Sequence, residues 1–147
     1  MASSSCDVGG LVWDPKRGQE IASAFDTRSE HAPLRHCTMN LIDCVAHAHG
    51  GGAWPLLAFG DHHVQEKDTN HKAYLLNDYD VYLKKEPCIM CSMALVHSRV
   101  TRVFFAEPST TNGGLYSVAR LQNVTALNHS FQVYKVTRTT TTTAADE

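Results

Sequence analysis

The chain has 147 residues, 43% hydrophobic and 19% charged, enough to bury one domain's core without disulfide or metal staples and too apolar for a disordered segment. No apolar run approaches the roughly 18–20 residues of a membrane span, and the polar start from Met1 to Asp7 has no apolar signal core. The net charge of −2 is unevenly spread: residues 1–83 hold six Lys/Arg against eleven Asp/Glu, and residues 84–138 hold seven against two, so the second half can meet phosphate.

In chain order, Leu11–Asp14 and Gln19–Ala22 flank the turn-like Pro15-Lys16-Arg17-Gly18, which predicts a β-hairpin. A polar loop from Phe25 to Ala32 leads to Pro33. Thr38, Leu41, Ile42 and Val45 then repeat at helical spacing, predicting a helix over 36–49 that Gly50-Gly51-Gly52 stops. Residues 50–73 lack periodicity and read as a long loop. Its His62, His63 and His71 can donate to a metal, although a solvated loop is the simpler reading. Tyr79–Leu83 alternates as a strand, and a second helix is expected from Pro87 to about Ser98. Arg102–Ala106 reads as a strand, Pro108–Gly114 as a loop, Leu115–Arg120 as a short helix and Phe131–Val136 as the last strand. Thr139–Glu147 is a Thr-rich low-complexity tail, expected to be flexible. The order β-β-α-loop-β-α-β-α-β implies an α/β sandwich around a mixed sheet of five strands, in a single domain over 1–147 with its core at about 10–136.

The chemistry concentrates at Pro87-Cys88-Ile89-Met90-Cys91. Cysteines three apart on a helix can both reach one ion, and the positive end of that helix favours their thiolates. Alone, C-x-x-C fits a redox pair, half a structural zinc site or half a catalytic one. Five cysteines, an odd number without framework spacing, favour a reducing compartment and metal chemistry over disulfides. His36, which opens the first helix, supplies a third donor. One imidazole and two thiolates suit Zn²⁺ with a fourth position left for water. Cys37 beside it is a candidate for closing the site as a fourth ligand.

With these residues assembled, the chain resembles the zinc-dependent cytidine/adenosine deaminase superfamily, whose signature is H-x-E followed by P-C-x-x-C. Glu86-Pro87-Cys88-Ile89-Met90-Cys91-Ser92-Met93-Ala94-Leu95-Val96-His97-Ser98-Arg99, Pro33-Leu34-Arg35-His36 and Leu127-Asn128-His129 are similar to its tRNA-editing branch. The resemblance implies a three-layer α/β/α cytidine-deaminase-like sandwich and Zn²⁺ held by His36, Cys88 and Cys91. In such enzymes zinc activates a water, and the glutamate of H-x-E moves protons to the ring nitrogen and the leaving ammonia.

Here Thr38 stands at that glutamate's position. A hydroxyl does not titrate near neutral pH and cannot carry the proton. Glu86 reads instead as a carboxylate near a helix N-terminus, and Asp43 lies two turns down the first helix. No catalytic residue is therefore expected. The pattern resembles the non-catalytic subunits of eukaryotic tRNA wobble-adenosine deaminases. That implies a heterodimer with a catalytic subunit bearing an intact H-x-E, service to the tRNA anticodon arm, and a cytoplasmic or nuclear setting without a membrane. Arg99, Arg102, Lys135 and Arg138 are the candidate RNA contacts. The rival expectations are an active zinc-dependent deaminase working as a homo-oligomer and a structural zinc module.

Overall fold

The computed structural model describes residues 9–52, 55, 62–64 and 75–139. Strands β1 (Gly9–Asp14) and β2 (Gln19–Phe25) form the expected hairpin. The buried Asp14 carboxylate accepts the backbone N–H groups of Lys16 and Arg17, and Gly18 closes the turn at φ +65°. Helix α1 spans Cys37–Ala48, and its Leu41, Cys44, Val45 and Ala48 face the core. It is followed by β3 (His63–Val64), β4 (Asp80–Lys85), α2 (Ile89–His97), β5 (Arg102–Glu107) and β6 (Gln132–Lys135).

The sheet is mixed, in the order β3-β2-β1-β4-β5-β6. β1 pairs antiparallel with β2 and β4, whereas β4, β5 and β6 run parallel. It has six strands, not the expected five. The extra one is the two-residue β3, paired with Ala22 and Ser23 inside the stretch read as a loop; two residues are too few to show alternation. α1 and α2 touch each other and so share one face of the sheet, sealing Val12, Val81, Val103 and Phe105 beneath them. On the opposite face Tyr82, Phe104 and Tyr134 stack side by side, at 4.6 and 5.0 Å between ring centres. The described residues include no helix on that side.

Two further expectations change. Residues 115–120 form no α-helix; they are turns, followed by a 3-10 turn at Leu121–Asn123. α2 starts at Ile89, with Cys88 at its N-cap and Pro87 one residue outside. The predicted tail after Thr139, together with Cys6 and His71, falls outside the described residues. Among the described residues no helix is long and apolar enough to cross a membrane.

Candidate metal centre

His36 is the N-cap of α1, in extended backbone, and its carbonyl receives the Asn40 N–H at 3.0 Å. The Asn40 side chain reaches back to the Phe25 carbonyl (2.7 Å) and the Thr27 hydroxyl (2.8 Å), tying the loop after β2 to the helix. Arg35 pairs with Asp43 along α1. Thus the histidine sits on a braced turn rather than a free loop. Cys88 is the N-cap of α2 and Cys91 lies in its first turn. Both helix starts meet above the end of β4.

The Nδ1 of His36 lies 3.6 Å from Cys88 Sγ, and one donor atom from each of His36, Cys88 and Cys91 lies within 4.8 Å of the others. A tetrahedral zinc with bonds of about 2.0–2.3 Å would hold its nitrogen and sulfur donors roughly 3.6 Å apart. The donor set and its spacing therefore fit zinc. Cys88 is pulled down to about 5, first by the hydrogen bond from the Cys91 thiol, and that bond pushes Cys91 up in turn. One proton is thus shared between two sulfurs that a metal would take as thiolates.

Cys37 behaves differently. Burial, aided by Asp26 and Cys44, pushes its thiol up to about 12, and its sulfur lies 3.4 Å from the Ala24 carbonyl, outside the three-donor group. Thr38 is 3% exposed, and its hydroxyl hydrogen-bonds toward Cys91, which favours that cysteine's thiolate. It supports a ligand of the candidate site.

A cavity of about 110 Å³ opens beside the group, lined among others by Asp26, Arg28, His36, Thr38, Glu86 and Asn112. Sequence reading passed over Asp26 and Arg28, which lie in a polar stretch with no periodicity. The Asp26 carboxylate is 6% exposed and accepts Arg28's backbone N–H (3.1 Å) and its Nε (2.9 Å). The signal available was the D-x-R spacing, an Asx-type turn.

Glu86 proves to be a structural clamp. Its Oε1 accepts the backbone N–H groups of Leu115 (3.2 Å), Tyr116 (2.7 Å) and Ser117 (2.9 Å), and its Oε2 accepts Ser109 N–H (2.9 Å) and the Ser117 hydroxyl. The N–H groups that follow go back to the glycines, Val118 and Ala119 both to the Gly113 carbonyl and Leu121 to that of Gly114, so no i→i−4 ladder forms and the segment stays a turn. Burial alone would raise this carboxyl, but the Ser117 hydroxyl and the backbone donors outweigh it and hold it below its ordinary value. A Cβ on Gly113 would sit 2.3 Å from this carboxyl carbon, so only glycine lets the loop close over it. The Ile89 N–H bonds Asn112 O and the Gly114 N–H bonds Pro87 O, so the same loop laces the start of α2.

The four basic candidates do not form one patch of free charge. Arg102 is bound through two nitrogens to the buried Asp80 (Nε at 2.7 Å). Arg99, in a left-handed conformation at φ 61° just after α2, donates to the Asn128 carbonyl at 2.9 Å. His129 bonds the Val100 carbonyl at 2.7 Å, so Leu127-Asn128-His129 works as a latch between the end of α2 and β6. Arg138 is exposed beyond β6. Lys135 lies over the ring of Tyr116, beside Arg120, two residues the sequence reading did not single out.

The profile of the cytidine and deoxycytidylate deaminase zinc-binding region matches residues 2–107. The chain is 40% identical over 134 residues to a Danio rerio protein named probable inactive tRNA-specific adenosine deaminase-like protein 3, covering 87% of this chain and 40% of that one. It is 31% identical over 124 residues to the tRNA-specific adenosine deaminase subunit tad3 of Schizosaccharomyces pombe, covering 84% and 36%. It spans about two fifths of the length of these relatives. A solved structure from biochemical and structural studies of A-to-I editing by tRNA:A34 deaminases superposes with a TM-score of 0.65 at 21% identity, over 88% of this chain and 82% of that one, so the fold is shared.

Proposed function

This chain belongs to the cytidine and deoxycytidylate deaminase zinc-binding family, and from that premise we propose that it is the zinc-binding, non-catalytic subunit of a tRNA adenosine deaminase. The observation that carries the reading is Thr38. It lies among three convergent zinc donors, at the place where the family's signature has its glutamate, and turns its hydroxyl to Cys91. His36, Cys88 and Cys91 would hold the ion, which when bound supplies a Lewis acid for a water. Thr38 can orient a water but cannot carry the proton of a deamination, a role commonly worth about 10²–10⁴ in rate. The names of the relatives support the same assignment. The single domain would act in a heterodimer whose partner carries an intact H-x-E, on adenosine at the wobble position of tRNA, in the cytoplasm or nucleus.

The test is co-expression with H-x-E deaminase subunits and measurement of inosine in tRNA. Inosine is expected from the mixture and not from this chain alone. A purified chain that forms inosine unaided overturns the reading. One observation favours the rival, an active homo-oligomeric deaminase: the Asp26 carboxylate lines the same cavity as the three donors. Its ion pair with Arg28 (2.8 Å) counts against free proton transfer. Under the rival, Asp26→Asn abolishes activity of the lone chain.

A further inference from the structure

One group of side chains after β5 is unused by the metal centre. From Pro108 to Thr139 the chain has no Asp or Glu, but it has Arg120, Lys135 and Arg138. Tyr116, 46% exposed, leans on the buried Phe105 ring at 6.0 Å between centres. The Arg120 guanidinium carbon lies 5.9 Å from the centre of the Tyr116 ring and Lys135 Nζ 5.2 Å from it. Among the described residues neither cation is in an ion pair, whereas Arg28, Arg35 and Arg102 each are.

An aromatic face holds a cation in place, by about 0.5–1 kcal/mol at an exposed site, without neutralising it. Two like charges gathered on one ring repel each other, and an anion between them relieves that repulsion. The backbone that carries the ring is held: its N–H is bound by Glu86, which lines the cavity of the metal centre two residues before Cys88. The backbone of Lys135, on β6, is placed by the register that pairs it with Phe105 of β5. Both cations are exposed and, among the described residues, uncompensated, so both are open to an anionic ligand.

We infer that Tyr116, Arg120 and Lys135 form a binding site for the phosphodiester backbone of an RNA strand. A single-stranded or looped RNA suits the site better than an acidic peptide. The neighbouring loop offers neutral hydrogen-bonding groups, Asn123, Thr125, Asn128 and Ser130, suited to sugar hydroxyls and phosphate oxygens. The inference rests on the tRNA-deaminase reading and names where this chain touches the RNA. Arg102, spent on Asp80, is not part of it.

The experiment is fluorescence anisotropy of the full, zinc-loaded chain with a labelled RNA stem-loop of the anticodon-arm type, over about 50–200 mM KCl. Arg120→Gln with Lys135→Gln is expected to weaken binding about tenfold or more and to cut the salt slope by about 1.4, since each single-strand phosphate contact contributes about 0.7. Tyr116→Leu is expected to weaken binding several-fold with the slope unchanged, because it removes the scaffold and no charge. Lys84→Gln, on the other face of the sheet, should change neither. Unchanged zinc content and denaturation midpoint show that the variants are folded. RNA bound with the wild-type slope in the double variant overturns the site and leaves the subunit reading standing. No RNA binding by the wild type overturns the site, while the subunit reading falls only by the inosine measurement. Displacement of the RNA by millimolar inorganic phosphate alone, or equally well by polyglutamate, overturns the assignment of an RNA strand in favour of a small anion or an acidic protein.

Discussion

Glu86 gathers five hydrogen bonds onto two oxygens at 3% exposure, so its loss leaves several buried donors unpaired at once. Glu86→Gln is expected to cost about 2–4 kcal/mol in urea unfolding at neutral pH, with the loop 109–117 loosened. The pH dependence has a definite sign. A carboxyl held below its ordinary value of 4.5 in the fold contributes stability that is complete above pH 4.5 and lost as pH falls through the folded value. The gap between wild type and Glu86→Gln should therefore shrink in acid, and a gap constant down to about pH 3 would contradict the clamp. For the metal donors, a chain with about one zinc should lose it in Cys91→Ser and His36→Ala, as atomic absorption would read. Zinc uptake must also expel the proton held by the raised Cys91 thiol. The apparent affinity should then rise about tenfold per pH unit near neutrality, measured against a competing chelator.

At the scale of elements, the two helices were legible because each carries its own apolar period, and α1 its own glycine stop. Leu95 illustrates this: it repeats the face of Cys88 and Cys91 and is fully buried between α2 and the sheet. Leu95→Ala should cost about 3 kcal/mol, read as a lower denaturation midpoint with unchanged slope. The end of α2 was less legible. Arg99 takes the left-handed position usually given to glycine, and it does so while tethering the loop before β6 through Asn128. A residue that looked like a phosphate contact thus works as a latch. Residues 115–120 looked helical because local propensity was read without the loop that Glu86 holds from about thirty positions away, in which Val118 and Ala119 both bond the Gly113 carbonyl instead of forming a helical ladder. β3 was missed because its pairing with β2, not any pattern of its own, makes it a strand.

Over the whole molecule, the metal centre is also a fastening. The three candidate donors bring the start of α1 to the start of α2 across 52 residues of sequence, so an ion bound only to the folded state would stabilise all of it. Chelation should lower the thermal midpoint by several degrees, an effect restored by zinc and absent in Cys91→Ser. The sequence by itself determined the three candidate donors that the fold brings together, the absence of a carboxylate at Thr38 and the α/β order. These rest on local spacing: two cysteines one turn apart, a histidine at a helix start, and periods of two and 3.6. Only the tertiary structure decided that Glu86 is a clamp, that Asp26 lines the cavity, that Arg102 is spent on Asp80 and that Arg120 and Lys135 share the ring of Tyr116. Each of those depends on which backbone donors, charges and rings meet across the fold, and residue spacing along the chain carries no trace of such meetings.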